Sequence, residues 1–151
     1  MPQSLAQVHV HIVFSTKGRT RFLDDDAIRR QMHAYLAATL NKHGCPALLI
    51  GGTADHVHLL CTLSRTRTLA EVIGKVKHSS SKWIKTKGPR LARFAWQNGY
   101  GAFSVSHSNV ARTRAYVREQ DRHHRRMTFQ DELRVLLEKH GVAYDERYVW
   151  D

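Results

Sequence analysis

Asp55-His56-Val57-His58-Leu59-Leu60-Cys61 is the stretch on which the fold turns. Side chains of a strand alternate between faces, so Val57, Leu59 and Cys61 point one way, toward a core, and His56 and His58 the other. Just upstream, 45–51 is a second short apolar run, and the intervening Gly52-Thr53-Ala54-Asp55 predicts a hairpin. Before the hairpin, Ile28, Met32, Tyr35, Leu36, Thr39 and Leu40 follow helical spacing over about 24–43, with acidic residues at the start and Gly44 just past the end. After it, Leu69, Val72, Ile73, Val76, Ser80, Trp83 and Ile84 form one face of a second helix, which Gly88-Pro89 ends. Lys75, Lys77, Lys82 and Lys85 lie largely off that face, where they can meet phosphates.

Further strands are predicted over 7–15 and 100–106. A third helix begins near Ser108 and Asn109 and carries Val110, Thr113, Tyr116, Val117 and Gln120. Thr128, with Asp131 three residues on, opens a last helix through Leu133, Leu136 and Leu137. The order strand, helix, strand, strand, helix, strand, helix, helix predicts an α+β fold: a ferredoxin-like sandwich with a largely antiparallel sheet and helices packed on it.

The 151 residues fit a single domain, 1–151, with the C-terminal helix and tail from about 128 as an appendage. The 24 Lys and Arg against 13 Asp and Glu leave a net charge of +11, which calls for a polyanionic partner, nucleic acid first. Charge sets the partner class and does not by itself separate an enzyme from a basic binding protein. Apolar runs such as Ala47-Leu48-Leu49-Ile50 fall far short of the roughly 20 residues that cross a bilayer, so no membrane is expected. The first residues lack the basic-then-apolar pattern of a secretory leader. Cys45 and Cys61, both in apolar strand-like segments, read as reduced thiols in a cytoplasmic protein, with no disulfide.

Two imidazoles on one strand face can grip one cation, yet a His-x-His pair alone is weak evidence. The same spacing recurs in Val8-His9-Val10-His11, where His9 and His11 read as structural or DNA-facing residues. A structural zinc is disfavoured because Cys61 falls on the opposite face from His56 and His58, and paired-cysteine spacing is missing. In Tyr116-Val117-Arg118-Glu119-Gln120 a phenol and an amide sit four apart, on one face of a helix, where packing is the commoner role of a tyrosine.

Asp55-His56-Val57-His58 followed by Tyr116-Val117-Arg118-Glu119-Gln120 resembles the signature of the HUH single-tyrosine transposases of the insertion-sequence-200-like group. The segments Val10-His11-Ile12-Val13-Phe14-Ser15-Thr16-Lys17, Trp96-Gln97-Asn98-Gly99-Tyr100-Gly101-Ala102-Phe103-Ser104-Val105-Ser106 and Tyr144-Asp145-Glu146-Arg147-Tyr148 resemble it too, so the likeness spans nearly the whole chain. Gly18 departs from it, since many members carry a bulkier residue there, and this bears on the DNA contact of that loop. The resemblance implies that His56, His58 and Gln120 are metal ligands for Mg2+ or Mn2+, and that Tyr116 is the nucleophile. It implies a 5'-phosphotyrosine, a free 3'-hydroxyl, single-stranded DNA hairpins as substrate and a homodimer in which the tyrosine helix can complete either its own or the neighbour's site.

Lys17, Arg19, Arg21, Lys82, Lys85, Lys87, Arg90 and Arg93 form a cluster suited to a DNA backbone. Rival readings are an RNA-binding module built on Gly99-Tyr100-Gly101-Ala102-Phe103-Ser104-Val105, a nuclease that uses water as nucleophile, and a domesticated single-strand endonuclease. The first fails in detail, because Asn98 stands where a basic residue is expected and His56, His58 and Gln120 are left without a purpose.

Overall fold

Strand alternation sorts the side chains of the central sheet into two layers. A computed structural model describes residues 2–151, with β1 (His9–Ser15), α1 (Asp26–Lys42), β2 (Ala47–Gly52), β3 (His56–Thr62), α2 (Leu69–Ile84), β4 (Gly101–Val105), α3 (Val110–Arg118), α4 (Gln120–His123) and α5 (Phe129–Lys139). All neighbouring strands are antiparallel, in the order β2-β3-β1-β4, which is the strand order of a ferredoxin-like βαββαβ sandwich.

One face buries Val10, Ile12, Phe14, Val57, Leu59 and Cys61 against Met32, Leu36 and Leu40 of α1 and Val72, Ile73 and Val76 of α2. Burial there pushes the Cys61 thiol up to about 12, so it stays uncharged, and both cysteines are free. The opposite face carries His11, Val13, His56, His58 and Phe103, and on it Phe129, Leu133, Leu136 and Leu137 of α5 close a second, smaller core with Val13 and Phe103. Tyr144, Val149 and Trp150 of the tail pack against that second core.

Helix starts follow local chemistry. Asp25, Thr68 and Thr128 each accept the backbone N–H three residues on, at 3.0, 3.1 and 3.2 Å, as an N-cap does. At the hairpin, Gly52 has φ +148°, and a Cβ there would lie 2.2 Å from the His56 carbonyl oxygen. Next to it, a Cβ on Gly51 would lie 2.3 Å from the carbonyl oxygen of Val117, so the tyrosine helix α3 docks on β2 through a gap only glycine leaves.

Two sequence expectations are corrected. The third helix does not run through Gln120: it ends at Arg118, Glu119 turns out of helical geometry at φ −94° and ψ 21°, and Gln120 opens the separate α4. Lys77 is not free for phosphates: its ammonium donates to the carbonyl oxygens of Gln97, Asn98 and Gly99 at 2.9, 3.1 and 2.6 Å and sits over the Phe14 ring. Among the described residues no helix is long and apolar enough to cross a membrane.

Candidate active site and metal centre

β3 delivers His56 and His58 to the sheet face covered by α3, α4 and α5, and both are 0% exposed. Their Nδ1 atoms face outward from the cluster. His56 Nδ1 donates to Asp55 Oδ1 at 2.8 Å, and Thr53 Oγ1 donates to the same oxygen at 3.1 Å. His58 Nδ1 meets His11 Nε2 at 2.7 Å. The Nε2 atoms face inward: His56 Nε2 donates to Gln120 Oε1 at 2.9 Å and His58 Nε2 to Glu132 Oε1 at 2.9 Å.

Glu132, from α5, is the hub. Its Oε1 also accepts from His124 Nε2 at 2.9 Å, and its Oε2 accepts from Gln120 Nε2 at 2.9 Å and from the Tyr116 hydroxyl. Tyr116 thus lies against the histidine pair, its ring centroid 5.9 Å from that of His58. Although α3 breaks before Gln120, the phenol and the amide reach the same carboxylate, because the turn at Glu119 redirects the chain toward β3.

The electrostatics follow from packing these groups together. Burial opposes charge on His56, but its bonds to Asp55 and Glu132 outweigh that and raise it to about 9. Burial dominates at His58 and His11, which are lowered to about 4 and about 3 and stay neutral. Burial would raise Glu132, yet the bonds from His124, His56 and His58 hold it far below the carboxylate range. Burial, and then the Glu132 charge, push the Tyr116 phenol up, so without a cation it stays protonated.

His56, His58, His124 and Glu132 offer four donor atoms all within 4.8 Å of one another, a set able to hold one divalent cation. Gln120 Oε1, on His56 Nε2, borders the same space. Imidazole donors suit borderline divalent ions such as zinc or iron, and the carboxylate suits harder ones such as Mn2+ or Mg2+, so the donor set alone does not select the ion. Beside the cluster a cavity of about 660 Å³ is lined by Tyr116, Glu132, Arg122, His123, Arg125 and Arg126 among others.

Of the basic residues expected to meet DNA, Lys17, Lys82, Lys85, Lys87, Arg90 and Arg93 are exposed. Arg19 is half-buried and donates to the Trp150 carbonyl at 3.2 Å, and Arg21 pairs with Asp24 at 3.0 Å. Lys82 of α2 and Lys85, which caps its C-terminus, lie on the layer opposite the histidine pair, where they line a cleft with Trp96, Gln97 and Asn98.

Glu132 and His124 had no place in the sequence expectations, yet one signal for Glu132 was present. It falls on the apolar stripe Phe129, Leu133, Leu136 and Leu137, and an acid on a buried stripe needs a partner. His124 carried no such mark.

A family model described as transposase IS200-like matches residues 4–120. The chain belongs to the IS200-like transposase family. Its fold is similar to a crystal structure of a presumed transposase from Deinococcus radiodurans R1, with a TM-score of 0.62 and 19% identity over 80% of this chain and 95% of that one. It is also similar to a REP-associated tyrosine transposase bound to a REP hairpin, with a TM-score of 0.52 and 10% identity over 78% and 67% of the two chains. No curated protein matches it in sequence. In this IS200-like transposase His56, His58, Tyr116 and Gln120 fall inside the matched segment, whereas His124 and Glu132 lie beyond it.

Proposed function

We propose that this IS200-like transposase cuts and rejoins single-stranded DNA through a covalent 5'-phosphotyrosine on Tyr116, with a divalent cation held beside it. The observation that carries this reading is the shared carboxylate: Glu132 joins the Tyr116 hydroxyl to His58 and His124, so nucleophile and donor cluster form one unit. His56 and His58 would hold the cation, with Gln120 as the third ligand expected from the family and His124 and Glu132 added by this chain. Bound Mn2+ or Mg2+ would supply Lewis-acid withdrawal of charge from the scissile phosphate.

The protein's own part is to aim the phenol. Tyr116 Oη attacks phosphorus as the bond to the 3' oxygen breaks; the phenol gives up its proton to solvent, and the leaving oxygen takes one up to become a 3'-hydroxyl. Attack by another 3'-hydroxyl on the phosphotyrosine reverses these bond changes and joins strands without ATP. The substrate in this reading is hairpin DNA, as in the neighbour bound to a REP hairpin. Lys17, Arg19, Arg21, Lys82, Lys85, Lys87, Arg90 and Arg93 would follow its backbone. A homodimer would bring two DNA ends together, with each tyrosine serving its own subunit's donor cluster or its neighbour's.

The test is to incubate the protein with end-labelled single-stranded hairpin DNA from its flanking sequence, with and without Mn2+ or Mg2+, and run a denaturing protein gel. A metal-dependent covalent band absent in Tyr116→Phe is the expected result. Cleavage with no adduct would replace this reading with a water-using nuclease.

A further inference from the structure

We propose that His11 is a positioning residue for the metal centre: it sets which nitrogen of His58 carries the proton, and so whether His58 presents a lone pair to the cation. This rests on the metal reading above. His11 is on β1 and His58 on β3; their strands are directly paired at Val13 and His58, so His11 lies two residues along on the same face and reaches diagonally. The two rings stack at 5.0 Å with Nε2 of His11 at 2.7 Å from Nδ1 of His58. His11 is 4% exposed and held in place by Phe103, its partner on β4, and by the edge of the Tyr116 ring.

The two candidate ligands are oriented differently. Asp55 can only accept, so it fixes the proton of His56 on Nδ1 and turns Nε2 toward the cluster. His11 can donate or accept. With Glu132 as its inner partner, His58 donates from Nε2, and Nδ1 must accept from His11. For Nε2 to bind a cation, the His58 proton must stand on Nδ1 instead, and His11 must turn acceptor there, its own proton moving to its Nδ1. Only a side chain that serves in both directions supports both states. That requirement gives the buried imidazole of His11 a part that an apolar side chain like its neighbours Val13 and Phe103 would not fill.

The test titrates Mn2+ alone into the protein and follows the signal of free Mn2+ by electron paramagnetic resonance. His11→Phe, which neither donates nor accepts, is expected to weaken binding about 10- to 100-fold, the usual effect of losing a partner behind a metal-bound histidine. His11→Gln, whose amide serves in both directions, is expected to restore most of the loss. A second readout is the ring 15N spectrum of His58 in the wild type, which is expected to move from the Nε2-protonated to the Nδ1-protonated pattern when Mg2+ is added. Equal Mn2+ affinity in wild type and His11→Phe overturns the proposal while leaving the metal site standing. An unchanged His58 pattern under saturating Mg2+ overturns it as well, and if His11→Phe does not fold, this measurement decides. A wild type that binds neither ion overturns both readings together.

Discussion

The Tyr116 hydroxyl donates its hydrogen bond to Glu132, a residue of α5 that lies beyond the family-matched segment. The C-terminal helix therefore forms part of the candidate site, because the carboxylate that touches the phenol also gathers His58, His124 and Gln120.

From this follows the first prediction. Glu132→Ala leaves His58, His124, Gln120 and Tyr116 with polar atoms turned into a void that is buried to 1–2% exposure. Breaking a buried charged network by removing one partner costs about 3–5 kcal/mol. Denaturant unfolding in the presence of chelator should show a loss of that order, and Mn2+ should bind more weakly. A variant as stable as the wild type would show that Glu132 is not the hub of the cluster.

Gly51 supplies a second prediction. A Cβ at this position would stand 2.3 Å from the Val117 carbonyl oxygen and 2.8 Å from its Cγ1, and the backbone atom cannot swing aside. Gly51→Ala must push α3 off β2, and overpacking of this kind costs about 1–3 kcal/mol. The tyrosine moves with its helix. Adduct formation should therefore fall under conditions where thermal unfolding shows the variant still fully folded; normal adduct yield at reduced stability would mean that Tyr116 does not depend on this docking.

Much of the fold was readable because alternation and capping are local. The period of 56–62 gave the two faces of β3, Thr128 with Asp131 gave the start of α5, and the paired imidazoles needed only a strand to share a face. The rest depended on contacts distant in sequence. The pair His9 and His11 has the same spacing as His56 and His58, and only the three-dimensional arrangement puts His11 behind His58 and outside the donor group. Lys77 resembles its exposed helical neighbours, and its capture by three carbonyls depends on a loop some twenty residues away. Helical spacing placed Tyr116 and Gln120 together correctly but by the wrong route, since the helix breaks between them and a carboxylate from α5 rejoins them.

The third prediction concerns pH, and its sign differs among the histidines. His11, His33 and His58, lowered chiefly by burial to about 3, 4 and 4, take up protons on unfolding once the pH drops below 6.5, so stability falls on the acid side. Glu132, depressed by its histidine bonds, adds to that loss: its contribution is present above its ordinary 4.5 and disappears as the pH falls. His56 works the other way. Raised to about 9, it contributes fully below 6.5 and loses its contribution as the pH rises through 9. Melting temperatures measured in chelator should therefore peak near neutral pH and decline on both sides. A cation at the cluster competes with the His56 proton, so Mn2+ should bind more tightly as pH rises from 6.5 toward 9. With saturating Mn2+ the alkaline decline should shrink and the optimum move upward, because bound metal replaces the proton that His56 loses. Superimposable melting profiles with and without Mn2+ would show that His56 does not ligate the metal.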